Sequence, residues 1–136
     1  MTEDKFVGLD TSVVLRLLTG EPANQAQAAE TAIDEIAASG KKAAVSDLVI
    51  SETYFALQFH YGVPKAKALA TLREFVDSDE IHCLGIAVEV FQKRELAQSN
   101  PGFVDRLIHG EYRKHCGKMI SFEKAAKKLP GASVIK

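Results

Sequence analysis

The sequence predicts an α/β domain in three layers, in which a central parallel sheet of four to five strands is flanked by helices. Short apolar runs alternate along the chain with longer segments whose apolar residues recur at helical spacing. Glycine or proline separates most of these segments. The chain has 136 residues, 46% of them hydrophobic, which suits a single domain over 1–136 with its own core.

Each predicted strand is a short apolar run, and each predicted helix has a recognisable start or end. The first strand covers 5–10, and Thr11 or Ser12 can cap the helix that follows and ends at Gly20. The other predicted strands cover 42–45, 81–84, 118–121 and 132–135. The other predicted helices cover 23–39, 47–61, 64–77, 87–98, 103–115 and 123–128. Strands that alternate with helices in this way favour a parallel sheet.

The formal net charge of −1 conceals a strong asymmetry. Residues 1–100 hold nine Lys and Arg against fifteen Asp and Glu, a net charge of −6, whereas residues 101–136 hold eight against three, a net charge of +5. The basic segment is either a solvated helix surface or a surface that faces phosphate groups. Net charge alone therefore does not exclude nucleic acid as a partner.

Several classes of protein are excluded by composition. No stretch approaches the roughly 20 apolar residues of a membrane span, and the polar, acidic segment 1–5 does not resemble a secretory signal. We therefore expect a cytoplasmic protein without a membrane partner. Cys83 and Cys116 lie far apart, which disfavours a disulfide framework, and too few Cys and His are suitably spaced for a structural zinc site.

Glu52 stands out because it is the only charged residue between Leu48 and Pro64. On a helix it shares one face with Leu48, Phe55 and Phe59. We expect this stripe to be buried, so that the carboxylate needs a metal, a proton or a cationic partner. The alternative is a glutamate at the rim of the stripe that pairs with a lysine.

Three further acids lie where predicted strands end or predicted helices begin, namely Asp10, Asp105 and Glu123. Each has a simpler explanation, since Asp10 can cap a helix and the other two suit the positive end of one. Together with Glu52 they are expected to converge at one sheet edge, where a hard divalent cation such as Mg²⁺ or Mn²⁺ would hold them. Metal-assisted hydrolysis of a phosphodiester is the natural chemistry of such a site, and Thr11 or Ser12 could orient Asp10.

The order of these motifs resembles the PIN-domain ribonucleases, particularly VapC-type toxins of bacterial toxin–antitoxin pairs. The opening Gly8-Leu9-Asp10-Thr11-Ser12 resembles their first motif, and Ile50-Ser51-Glu52-Thr53 resembles their second. Phe103-Val104-Asp105-Arg106 is similar to the third, and Ile120-Ser121-Phe122-Glu123 stands where the family usually reads Thr-Phe-Asp. The resemblance covers nearly the whole chain.

The resemblance implies a Mg²⁺- or Mn²⁺-dependent endoribonuclease, commonly a homodimer, that is held inactive by a cognate antitoxin. Asp10, Glu52 and Asp105 match the family's acidic metal-binding and catalytic positions, and Ser12 keeps a polar hydroxyl where many members carry Asn. Glu123 departs from the usual Asp, although its longer side chain could still reach a metal directly or through water. Arg106 and Lys124, in the basic segment, are candidates for contacts with RNA phosphates.

Two other functions remain open on the sequence alone. The first is a PIN-like module that binds RNA or protein with weak or no nuclease activity, and the change at Glu123 is the main feature that favours it. The second is an unrelated acid-rich α/β phosphohydrolase. A haloacid-dehalogenase-like site would need a second Asp two residues after Asp10, and Ser12 stands there instead. A receiver-like site would need an acidic pair before the first helix, where only Asp10 is present.

Overall fold

The computed structural model describes residues 5–136. The acidic segment 1–4, on which part of the prediction about a secretory signal depends, lies outside the described residues. The chain divides into two compact units, Met1–Val88 and Glu89–Lys136. Each unit is described by itself below.

The described part of the first unit contains three strands, with two helices between each strand and the next. The strands are β1 (Phe6–Gly8), β2 (Lys42–Val45) and β3 (Ile81–Cys83). The helices are α1 (Thr11–Thr19), α2 (Ala23–Ala38), α3 (Asp47–Phe59) and α4 (Lys65–Asp77). The strands pair in parallel in the order β1-β2-β3, with Val7 opposite Ala43 and Ala44 opposite His82. Crossover helices thus connect neighbouring parallel strands, as such pairing requires.

The core of the first unit lies where β2 meets its helices. All of Ala43, Ala44 and Val45 are buried, as expected for a central strand of a parallel sheet. Helices α2 and α4 contact the sheet, and α1 packs against both α2 and α3. The α3 residues Ile50 and Leu57 are buried in this core.

Local signals in the sequence set the ends of these helices. Gly20 ends α1 in the left-handed conformation, with φ of 73°, and its amide donates to the Arg16 carbonyl. The Ser46 hydroxyl accepts a hydrogen bond from the Val49 amide and caps α3. Both ends lie within one or two residues of the predicted positions.

The second unit is smaller, and its core forms around α6 (Phe103–His115). Helix α5 (Ala87–Phe91) leads into it, and a 3₁₀ turn at Leu96–Gln98 follows. Strands β4 (Met119–Ser121) and β5 (Ala132–Val134) pair in parallel and are joined through a second 3₁₀ turn at Lys124–Lys128. The ring of Phe103, buried in this unit, stacks on Phe91 with 4.8 Å between the ring centroids.

Within residues 5–136, the α/β class with parallel strands is confirmed, and six of the seven predicted helices are α-helices. The seventh, predicted over 123–128, is the 3₁₀ turn at Lys124–Lys128. The expectation of one sheet of four to five strands is corrected, because hydrogen bonds join three strands in the first unit and two in the second. Apolar runs of three or four residues predict that strands exist but do not specify which neighbour each one pairs with. Short strands can pair their backbone N–H and C=O groups within sheets of only two or three strands, as they do here.

The predicted helix over 87–98 is the second correction. Helix α5 ends at Phe91, and Glu95 adopts a left-handed conformation with φ of 53° before the 3₁₀ turn. Residues 92–95 are all polar and exposed, so no apolar side chain holds a further helical turn against the core. Within 5–136, no helix is both long and apolar enough to cross a bilayer.

Candidate functional site

Asp10 lies directly beyond the end of β1 and its carboxylate is held by a neighbouring hydroxyl. The Leu9 amide still donates to the Ala44 carbonyl, so the strand pairing continues up to the residue before Asp10. Asp10 occupies the N-cap position of α1, but its side chain makes no capping hydrogen bond. Instead, the Ser12 hydroxyl donates to Asp10 Oδ2 over 2.9 Å. A simple helix cap therefore does not explain this acid, whose carboxylate is instead contacted by the Ser12 hydroxyl.

The same hydrogen bond favours the charged form of Asp10. The Ser12 hydroxyl, followed by the Thr11 backbone amide, lowers the pKa of the Asp10 carboxyl below its ordinary value. The carboxylate is exposed to solvent. At neutral pH it is therefore an ionised, accessible oxygen ligand.

Glu52 is connected to the same loop through Thr11. The Thr11 hydroxyl donates to Glu52 Oε1 over 2.7 Å, which joins the start of α1 to the second turn of α3. Packing between α1 and α3 brings these residues together from 41 positions apart in the sequence. Thr11 and Ser12 therefore contact both of the predicted site acids in the first unit, Glu52 through Thr11 and Asp10 through Ser12.

The α3 stripe is exposed, which corrects the expectation that it is buried. Leu48 and Phe59 are 73% and 76% exposed, and Glu52 itself is exposed. The buried face of α3 is instead the one that carries Ile50, Tyr54 and Leu57. Because α3 is apolar on nearly every side, helical periodicity alone does not distinguish its core face from its exposed face. Glu52 therefore needs no buried partner to offset a desolvation cost.

In the second unit, Asp105 and Glu123 line one pocket of about 210 Å³. Asp105 lies in the first turn of α6, and Glu123 precedes the 3₁₀ turn at Lys124–Lys128. The Glu123 amide donates to the Ser121 hydroxyl over 2.9 Å, which fixes the backbone where β4 ends. Both carboxylates are exposed. The structure thus brings these two predicted acids together within their unit.

The two candidate phosphate-binding residues differ in their surroundings. Arg106 is partly buried, and its Nε donates to the Pro101 carbonyl over 2.8 Å, which ties the loop before α6 to that helix. Lys124 is exposed on the 3₁₀ turn. Arg106 therefore has a structural contact that its sequence position did not reveal, while Lys124 is open to solvent.

The four acids suit a divalent cation by their chemistry. Among residues 5–136, the one ion pair within 4.0 Å joins Arg73 to Asp77, so no Lys or Arg neutralises any of the four. Their oxygens are the hard ligands that Mg²⁺ and Mn²⁺ prefer. Each unit supplies two of them, and among the described residues no three Asp, Glu, His or Cys side chains gather around a possible metal position.

The sequence did not identify two residues that lie near the predicted site acids. The first is Asp47, whose carboxylate accepts hydrogen bonds from the Ile86 and Ala87 amides at the start of α5. Tyr112 lines the pocket that holds Asp105 and Glu123. Its spacing of seven residues from Asp105, two helical turns, was the signal that could have identified it.

A parallel α/β fold with an exposed aspartate just beyond its first strand and further exposed carboxylates is a class of domain suited to binding a divalent cation. Within that class, the chain belongs to the PIN domain family, whose model matches residues 7–132. PIN domains are generally metal-dependent nucleases, so the match supports a nuclease-type module. No curated protein and no solved structure matches the chain.

Proposed function

We propose that this protein is a divalent-metal-dependent endoribonuclease, with Asp10, Glu52, Asp105 and Glu123 as its metal-binding and catalytic acids. The observation that carries the proposal is the pair of hydrogen bonds from residues 11 and 12, which orient Glu52 and Asp10 in an exposed position. Ser and Thr hydroxyls that orient carboxylates are the supporting interactions that metal ligands require. Membership in the PIN domain family supports the same assignment.

The residues of this chain would prepare the site for chemistry on RNA. Ser12 holds Asp10 charged and in one orientation, and Thr11 leaves Glu52 Oε2 free to act as a ligand. When bound, Mg²⁺ or Mn²⁺ supplies Lewis acidity for the attack of water on a phosphodiester. The basic second unit, with Lys124 on an exposed turn, supplies attraction to the RNA backbone.

Cleavage of RNA by the purified protein tests the proposal. We expect cleavage with Mg²⁺ or Mn²⁺, none with EDTA, and a loss of at least about 100-fold in Asp10→Asn or Glu52→Gln. Glu74→Gln is the matched control, because Glu74 is an equally exposed glutamate on α4 outside the site. Full activity in folded Asp10→Asn would contradict the assignment.

We further propose that the nuclease is the toxin of a toxin–antitoxin pair and acts as a homodimer. The motif resemblance supports this role, and the exposed apolar stripe of α3 offers a surface of the kind that protein partners cover. Expressed alone, the protein should arrest bacterial growth, and co-expression of a small protein from a neighbouring reading frame should restore it. Normal growth with abundant folded protein would favour a PIN-like binding module with little nuclease activity.

A further inference from the structure

The pocket of the second unit has an apolar wall as well as two carboxylates. Helix α6 contributes Asp105, Ile108 and Tyr112, which recur at i, i+3 and i+7 and therefore share one helix face. Strand β4 contributes Ile120 to the same pocket. Ile108, Tyr112 and Ile120 are all exposed large side chains. A flat aromatic ring and two aliphatic side chains thus stand next to the acids that we assign to metal binding.

The size of the pocket limits what it can hold. Its volume of about 210 Å³ lies below the roughly 300–1,000 Å³ of pockets for drug-sized ligands. A single flat ring system fits such a space, whereas a folded segment of protein does not. The pocket is bounded at one end by the Asn100-Pro101 loop.

Cationic side chains are attached to that loop. Lys128 Nζ donates to the Asn100 carbonyl over 3.1 Å, and Arg106 Nε donates to the Pro101 carbonyl. The unit as a whole, residues 89–136, holds ten Lys and Arg against five Asp and Glu. The pocket therefore combines apolar side chains with two carboxylates in a unit that is basic overall, and an RNA base next to a metal-bound phosphodiester would suit such surroundings.

We propose that this pocket binds one unpaired nucleobase of the RNA substrate, stacked against Tyr112 beside Asp105 and Glu123. The inference rests on the proposed ribonuclease function and adds a base-binding residue to it. A base within a duplex is stacked on its neighbours and cannot enter, so the nucleotide at this position has to be unpaired. Lys128 and Arg106 would lie along the phosphates that flank the bound base.

Fluorescence of a short single-stranded RNA that carries 2-aminopurine at each position in turn tests this binding. The protein is the full chain with Glu52→Gln, in Mg²⁺, and the signal is read immediately after mixing so that it precedes any cleavage. We expect quenching at one position, loss of that quenching with about tenfold weaker binding in Tyr112→Ala, and retention of both in Tyr112→Phe. Tyr61→Ala is the matched control, because Tyr61 is 39% exposed and Tyr112 is 46% exposed.

The outcomes separate this inference from the proposed function. Equal quenching in Tyr112→Ala and Tyr112→Phe would overturn the base pocket, even where the otherwise wild-type chain cleaves RNA. Position-specific quenching that depends on the ring would support the pocket, even where no cleavage is found and the nuclease proposal fails. If Tyr112→Ala leaves RNA binding unchanged and converts a dimer to a monomer, the surface is a protein contact and the inference is wrong. Circular dichroism of each variant confirms that the fold is intact.

Discussion

At the scale of single residues, the hydroxyls of Thr11 and Ser12 orient two exposed acids. Thr11 donates a hydrogen bond to Glu52, and Ser12 donates one to Asp10. Sequence inspection identified Asp10, Ser12 and Glu52, but the link from Thr11 to Glu52 depends on how α1 packs against α3. Contacts of that kind, between residues 41 positions apart, are set by tertiary packing and not by local pattern.

Replacing Thr11 tests this orienting role. Thr11→Val keeps the shape of the side chain but removes the donor to Glu52 Oε1, so we expect RNA cleavage to fall about 10- to 100-fold. Thr11→Ser retains the hydroxyl and should retain most of the activity. Rates for both variants under saturating Mg²⁺ provide the measurement, and equal activity in the two would show that this hydrogen bond has no part in function.

The two cysteines should differ in reactivity. Burial raises the pKa of the Cys83 thiol above its ordinary value, whereas Cys116 is exposed. The thiolate is the reactive form, so raising the pKa lowers the reactive fraction at a given pH. We expect iodoacetamide at pH 8 to modify Cys116 at least about tenfold faster than Cys83. Peptide mass spectrometry over time measures both rates, and faster modification of Cys83 would contradict the structure.

At the scale of elements, α3 shows which features a sequence pattern can predict and which it cannot. Its existence, its Ser46 cap and its approximate end follow from local signals. The sequence does not predict which face of α3 is buried, because apolar residues lie on nearly every side of the helix.

Helix α6 was predicted at its observed bounds, since its apolar face is distinct and Gly102 and Gly117 flank it. Helix α5 was predicted too long, because the four residues that follow it, 92–95, are all polar and exposed.

A pair of matched substitutions on α3 tests the observed orientation. Leu57 is 3% exposed and Leu48 is 73% exposed. Leu57→Ala should therefore lower the free energy of unfolding by about 2–5 kcal/mol, because it leaves a cavity in the core. Leu48→Ala should change it by no more than about 0.5 kcal/mol. Urea denaturation of the two variants gives both values, and a large loss for Leu48→Ala would restore the original expectation of a buried stripe.

The connection between β3 and α5 depends on Asp47. Its carboxylate accepts hydrogen bonds from two main-chain amides at the start of α5, and a Cβ on residue 85 would overlap that carboxylate. Asp47→Ala removes both acceptors and should lower the free energy of unfolding by about 1–3 kcal/mol. Ser51→Ala on the same helix is a control with a milder change, since the Ser51 hydroxyl bonds only to the Asp47 carbonyl. Equal stability of the two variants would contradict this role.

At the scale of the whole molecule, the charge asymmetry seen in the sequence coincides with the division into units. Residues 1–88 hold seven Lys and Arg against thirteen Asp and Glu, whereas residues 89–136 hold ten against five. The sequence predicted the asymmetry and the five strands. It did not predict that the strands form two sheets, because strand partners are chosen by packing over the whole chain.

The basic unit should dominate the salt dependence of RNA binding. Lys124→Ala removes one exposed cation there, so affinity should fall and the slope of log affinity against log salt should decrease by about one. Lys67→Ala is the control, because Lys67 is exposed in the acidic unit. Binding titrations across a range of salt concentrations provide both slopes. Equal slopes for wild type and Lys124→Ala would show that Lys124 does not contact the RNA backbone.

The central claim is that Asp10 and Asp105 both take part in metal binding. Calorimetric titration of Mn²⁺ into the wild type, Asp10→Asn and Asp105→Asn tests it most directly, with Glu74→Gln as the control. We predict that both variants lose Mn²⁺ affinity by more than about tenfold while the control binds as the wild type does. Undiminished Mn²⁺ affinity in folded Asp105→Asn would contradict the claim and confine any metal site to Asp10 and Glu52.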